Sequence, residues 1–339
     1  MSPIMYPGQY TLCLQTQNTE EMLTFYAALG MTTHTFTHNS AMAWNGDIHL
    51  ALMSFLREHS INFRGADPSE IHRNAVAAGL IFEQEPQRYR KEEFDADADG
   101  NNWLIHDPDG NNVFFDTNDT ETGAEGLTWL TQRVVLATRR QLKNVNAPEV
   151  CRDAFQTTVV DQYAPTDSLR PIGHHMTDQG ERFPGFFNYC IKTTDNETSA
   201  AWYRAVGLDV GDPSAGHHVH VGTSDCRIAL MTFLPENWLN FRGGDVFQIF
   251  EWLSETGLPL EGEPARYTAE EFGTPGAHWQ TRDPDGNQVY FDTTDEELIE
   301  PGDKAIVRRV LEAALEQLQD IGAHPDCKSA VQHILSTHT

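Results

Sequence analysis

Apolar and polar side chains alternate from Tyr10 to Thr16, the period of a half-buried strand. Asn18 then stands three residues before Glu21, the capping-box spacing. Met22, Phe25, Tyr26 and Leu29 recur at helical intervals up to Gly30, which predicts a helix with one buried stripe. Short strands are expected at 33–37, 40–44 and 47–55. The pattern restarts with a strand at 61–65, where Asp67 as N-cap and Pro68 at the first helical position open a helix that runs to Gly79. Strands near 81–83, 102–105 and 112–116 complete it. The segment is thus read as two successive βαβββ modules.

The same order returns further along the chain. Asp107-Pro108-Asp109-Gly110-Asn111 recurs 176 positions later as Asp283-Pro284-Asp285-Gly286-Asn287. Asn62-Phe63-Arg64-Gly65 matches Asn240-Phe241-Arg242-Gly243, and Pro7-Gly8 matches Pro184-Gly185. Helices are expected at 196–206 and 246–256, each followed by glycine. The tails repeat as well, with Gln141-Leu142 answering Gln317-Leu318 and Cys151 answering Cys327. In the second tail Ile306, Val307, Val310, Leu311, Ala314, Leu315 and Leu318 form a broad apolar face, and a short helix carrying Cys327, Val331 and Ile334 closes a helical hairpin. Residues 161–181 have no second copy and read as a linker. The expected organisation is a domain at 1–120 with a tail at 121–160, and a domain at 182–298 with a tail at 299–339. Two large repeats imply a pseudo-dimer in one chain, with which a further homo-oligomer is compatible.

Charge narrows the partners. Fifty acidic against 23 basic residues give a net charge of −27, a field that repels phosphate backbones and anionic lipid, so neither nucleic acid nor a membrane is an expected partner. The acidity is read as a solvated surface first and as a cleft for a cation second. No stretch is apolar for the ~18 residues that cross a bilayer, and the first residues show no basic-then-apolar signal pattern, so a cytoplasmic location is expected. Five cysteines without C-x-x-C spacing suit reduced thiols.

Phe25-Tyr26-x-x-Leu29-Gly30-Met31 and Asp107-Pro108-Asp109-Gly110-Asn111, with Trp202-Tyr203-x-x-Val206-Gly207-Leu208 and the second D-P-D-G-N, resemble the vicinal oxygen chelate superfamily. That superfamily includes glyoxalase I, extradiol dioxygenases, fosfomycin-resistance enzymes and bleomycin-binding proteins. The resemblance covers roughly 5–118 and 182–294 and leaves out both tails. It implies an α+β fold of two tandem glyoxalase-like domains, and many members hold a metal in a cleft between paired modules. Carried over by spacing, the metal-ligand positions fall on Thr11 and Asn188, near Ile61 and Leu239, near Phe55 and Phe233, and on Phe114 and Tyr290. These residues supply no standard metal site, so no cofactor is expected.

His218 and His220 share a strand face and are the residual candidates for a divalent metal. Cys13 and Cys190 occupy matched first-strand positions, read as buried thiols before nucleophiles. Asn62 and Arg64, with Asn240 and Arg242, share a face where an arginine fork could hold an acidic ligand, against a structural ion pair. Tyr89 and Tyr267, each followed by a Glu-Phe pair, lie in a loop that borders the cleft in the resembling family. The candidate ligand-binding set is therefore Thr11, Cys13, Asn62, Arg64, Tyr89, Asn188, Cys190, Asn240, Arg242 and Tyr267. The leading expectation is a small-molecule-binding protein that lacks the standard metal ligands, acting as a binder or metal-independent enzyme. Its alternatives are a metal-dependent lyase or dioxygenase using the histidine pair, and a structural or partner-binding protein using the tails.

Overall fold

The computed structural model describes residues 7–45, 48–94, 98–121, 123–165, 182–213, 216–223, 226–298 and 303–339. In the first unit, β1 (Gln9–Gln15), α1 (Thr19–Ala28), β2 (Thr32–Thr37), β3 (Ser40–Trp44) and β4 (His49–Met53) form one module. The next holds β5 (Ser60–Arg64), α2 (Pro68–Ala77), β6 (Gln87–Tyr89), α3 (Lys91–Phe94), β7 (Gly100–His106) and β8 (Asn112–Asn118). After these come α4 (Gly123–Asn144) and α5 (Glu149–Phe155), which runs through a π turn into α6 (Asp161–Tyr163).

The second unit repeats the plan. Its elements are β9 (Gly185–Lys192), α7 (Asn196–Ala205), β10 (Asp209–Val210), β11 (His218–Gly222), β12 (Arg227–Met231), β13 (Trp238–Gly243) and α8 (Val246–Ser254). They continue with β14 (Ala265–Tyr267), α9 (Ala269–Phe272), β15 (Gly276–Arg282), β16 (Gln288–Thr294), α10 (Lys304–Asp320) and α11 (Pro325–His338). The first tail continues helically to Tyr163, three residues into the expected linker. The rest of that linker from 166 to 181 lies outside the described residues.

Both sheets have eight strands in equivalent order, β2-β3-β4-β1-β5-β8-β7-β6 and β10-β11-β12-β9-β13-β16-β15-β14. The two modules of a unit join where β1 runs antiparallel to β5, with Thr11 opposite Asn62, and where β9 meets β13, with Asn188 opposite Asn240. The paired βαβββ expectation holds in both halves. One expected strand does not form: Ile81 is 95% exposed, and the chain there is held by Phe82 against Trp103 and by the Trp103 indole donating to Gln84 O (2.9 Å). The edge strand falls at β6 instead. Asp67 caps α2 as expected, accepting from Ser69 N, whereas the Asn18 side chain caps no backbone group and pairs with Glu21.

Alternation along the strands assigns two faces. Tyr10, Leu12 and Leu14 of β1, and Phe187, Tyr189 and Ile191 of β9, enter one continuous core with the buried stripes of α1, α2, α7 and α8. That core spans both units. A second core unites the two tails: Val134, Val135 and Leu142 of α4, Cys151 and Phe155 of α5, and the apolar faces of α10 and α11 pack together with Phe183 and Phe186. Neither core belongs to one repeat, which is how the repeats become one folding unit.

The D-P-D-G-N turns hold the halves together reciprocally. Asp107 Oδ1 accepts from the backbone of Asp109 and Asn111 and so shapes its own turn. Asp107 Oδ2 reaches across to the Tyr203 hydroxyl (2.8 Å), as Asp283 Oδ2 reaches the Tyr26 hydroxyl (2.9 Å). Asp109 accepts from Thr194 N and Ser199 Oγ, and Asp285 from Gln17 N and the Thr16 hydroxyl. Burial first, and then the facing carboxylate, pushes both tyrosines well above their ordinary pKa, so they remain donors. The two sequence motifs of each half therefore serve as the contact between halves.

Candidate functional site

The face of each sheet turned away from the shared core, here the far face, carries the candidate residues. On β1 and β5 these are Thr11, Cys13, Asn62 and Arg64, while Ile61 and Phe63 point into the core. On β9 and β13 they are Asn188, Cys190, Asn240 and Arg242, with Trp238 on the same face and Leu239 and Phe241 inward. The positions near Ile61 and Leu239 are therefore core positions. Asn62 and Asn240 are the side chains of those strands that stand opposite Thr11 and Asn188.

Asparagine and arginine form the same ion-pair network in both units. Asn62 Nδ2 donates to Asp116 Oδ1 (2.7 Å), and Arg64 donates from Nη1 to Asp116 Oδ2 (2.7 Å) and from Nε to Glu121 Oε1 (2.8 Å). Asn240 Nδ2 donates to Asp292 Oδ1 (2.7 Å), and Arg242 pairs with Asp292 and, through Nε, with Glu297 (3.1 Å). Burial raises the pKa of Asp116 and of Asp292, against the pull of the adjacent guanidinium. Each arginine thus has two internal carboxylates in its fork. Tyr89 and Tyr267 donate to Thr117 O (3.3 Å) and Thr293 O (3.0 Å). A Cβ on Gly100 or Gly276 would stand 2.4 Å from those hydroxyls, so glycine permits this anchor in both copies.

All five cysteines are buried and unpaired with one another. Burial, then the nearby carboxylate of Asp116 or Asp292, pushes Cys13 and Cys190 each up to about 12, so neither is a thiolate near neutral pH.

The units part company at one register pair. In the first, Trp44 on β3 lies opposite His49 on β4, and their rings stack (centroids 6.0 Å apart, 18° between planes). The tail packs beside this pair: Asn144 of α4 donates to Asn45 O (3.3 Å). Burial, then the Arg133 guanidinium, pushes His49 down to about 3, and its Nδ1 is buried without a partner. In the second unit the equivalent pair is Gly222 and Arg227. There an open groove of about 620 Å³ lies between the far face and α10, lined by residues that include Asn188, Asp209, His220, Arg227, Arg309 and Glu316.

Beside the groove the second far face is rich in rings. Trp238 tilts against Tyr290 (5.2 Å), whose hydroxyl is 3.2 Å from His278 Nδ1, and His278 in turn meets Tyr267 (5.8 Å). The matched residues of the first unit, by strand register, are Ser60, Phe114 and Asn102. His218 and His220 are exposed with their rings edge to face (5.3 Å), and burial together with His218 and Arg242 lowers His220.

Divalent transition metals need several converging oxygen or imidazole ligands. Thr11, Asn62 and Phe114 do not form such a set, nor do Asn188, Asn240 and Tyr290, and Phe55 and Phe233 lie 64% and 61% exposed beyond the strand ends. Among the described residues no three His, Cys, Asp or Glu side chains group closely enough to hold a metal. The mapped residues do not fit a metal of the superfamily type. Among the described residues no helix is long and apolar enough to cross a membrane.

No family model matches the chain, and no curated protein matches it. Solved structures do resemble it. A Mn(II)-bound glyoxalase from Novosphingobium aromaticivorans is 14% identical over 86% of this chain and 82% of that one, with a TM-score of 0.46. A catechol 2,3-dioxygenase is 12% identical over 85% and 93%, at 0.45. The homoprotocatechuate 2,3-dioxygenase of Brevibacterium fuscum is 15% identical over 86% and 72%, at 0.45. Both halves have the α+β arrangement of paired βαβββ modules, and likenesses this low carry no activity across.

Proposed function

We propose that the chain binds a small molecule on the far face of its second unit, without a resident metal, and that the first unit is its structural partner. One observation carries this reading: the register pair filled by Trp44 and His49 in the first unit is Gly222 and Arg227 in the second, where the groove opens. A concave site with a few convergent polar groups and adjoining rings is the usual form of a small-molecule site. The metal-dependent alternative would rest on His218 and His220 alone, two exposed imidazoles on one strand. The partner-binding alternative would need the tails, whose apolar faces are spent in the second core.

A ligand-shift melting screen tests the proposal. At a hundredfold excess over Kd, a ligand should stabilise the chain by about 2.7 kcal/mol. His220→Trp, at an exposed strand position lining the groove, should remove the shift, whereas Met42→Trp at the matched position of the first unit should keep it. The opposite pattern would place the ligand on the first unit and end this reading.

A further inference from the structure

We infer that the groove selects a monoanion attached to a planar apolar body, of which an aromatic monocarboxylate is the simplest kind; this rests on the reading of the second far face as the binding surface. The chain is strongly acidic, yet two arginines from separate elements converge here. Arg227 of β12 lies 5.2 Å and Arg309 of α10 lies 3.5 Å from the centroid of the same ring, Phe186. Both line the groove, together with the Asn188 amide and the His220 imidazole.

A guanidinium laid on a ring uses its face for the ring and directs its N–H groups outward in its plane. With five donors it can serve a protein acceptor and a ligand carboxylate together. Phe186 is 2% exposed and anchored in the second core, so the platform under both guanidiniums is rigid. The matched positions of the first unit do not repeat this platform: by strand register its counterparts are Gln9 for Phe186 and His49 for Arg227, and its Arg133 lies on Trp129 instead (4.7 Å).

The acids in the lining limit the charge. Asp209 and Glu316 are exposed on the groove and oppose a second negative charge on the ligand, which favours a monoanion over a dianion. The apolar body is suggested by the rings of Trp238 and Tyr290 on the adjacent strands β13 and β16. Flat ligands gain there by stacking.

Naphthoate, naphthamide and naphthylmethylammonium, titrated into the full chain by ligand-observed NMR, separate the outcomes. Naphthoate should bind about tenfold more tightly than either analogue, the effect of one charge-assisted hydrogen bond. A double variant, Arg227→Gln with Arg309→Gln, should bring naphthoate down to the level of naphthamide, while Arg→Lys at both sites should fall between, with circular dichroism confirming the fold. If all three probes bind alike, or the cation binds best, and His220→Trp abolishes binding, the groove stands and the anion inference falls. Binding indifferent to His220→Trp would remove the groove reading itself, and no binding by any probe overturns the inference.

Discussion

The two far faces start from the same strands in the same register and end as different surfaces. At the β5–β8 and β13–β16 end they agree almost atom for atom, with asparagine, aspartate, arginine and glutamate in one network. At the β3–β4 and β11–β12 edge they disagree. Trp44 and His49 fill the first, and Gly222 and Arg227 leave the second open. A glycine is required at Gly222, because a Cβ there would stand 1.8 Å from Cys226 O. In a duplicated chain, agreement between copies marks what folding needs, and disagreement on a matched surface marks where one copy has been given another task.

His49 offers the largest test of that contrast. Its pKa in the folded chain is pushed down to about 3, against an ordinary value near 6.5. Below 6.5 the unfolded chain takes up a proton that the folded chain refuses, so stability falls as pH drops toward 3, by up to about 1.4 kcal/mol per pH unit. His49→Phe keeps a ring on Trp44 and removes the proton site. Urea unfolding at pH 7 and pH 4.5 should show a loss about 2–3 kcal/mol smaller in this variant than in the wild type. Arg227→Gln, at the matched position, should leave the acid loss unchanged. If it flattens the loss as His49→Phe does, the two edges are not different environments.

Much of this architecture is legible along the chain, because strands, helices and tails each bury one face and so write their period into the residues. Tyr10, Leu12 and Leu14 show it in the sheet, and Val310, Leu311, Ala314 and Leu318 in the tail. The contact between halves is not legible in that way. Tyr26 meets Asp283, far away in sequence, and nothing local marks the carboxylate as a partner rather than a turn former. Of the site, Asn62, Arg64 and Tyr89 with their copies were visible as matched polar residues, and the structure gives each an internal partner. Arg227 stands where the first copy has His49, and Arg309 matches Arg133, but a helical tail gives no local sign that its arginine reaches the ring of Phe186. Trp44 against Gly222 and His49 against Arg227 were the available signal, but only the tail packing shows what those differences open.

The shared end should respond alike in both units and more strongly in the first. Arg64→Lys and Arg242→Lys keep the charge but lose the fork that joins two carboxylates, at a cost of roughly 1–2 kcal/mol each. The Arg64 side chain is 34% exposed and that of Arg242 is 43%, so the first unit has less water to replace the lost donor. Both costs would be read from urea midpoints. Selective loss of ligand affinity in Arg242→Lys at unchanged stability would instead make that arginine part of the binding surface.

The smallest expected effect is at the matched thiols. Cys13 and Cys190 sit at 7% and 2% exposure, each held near pKa 12 by burial and then by the carboxylate beside it. Only the thiolate attacks an alkylating reagent, and at pH 7.5 a pKa of 12 leaves it a negligible population. Iodoacetamide should therefore label neither in the native chain, and both in urea. Cys190 belongs to the open unit, where Asn188 lines the groove two residues earlier on the same strand face. Labelling of Cys190 but not Cys13, counted by mass spectrometry on the resulting peptides, would mean that the groove opens deeper than Ala229 and Leu234 now allow around that thiol. Equal silence at both sites would confine the difference between the units to the edge where glycine replaces tryptophan.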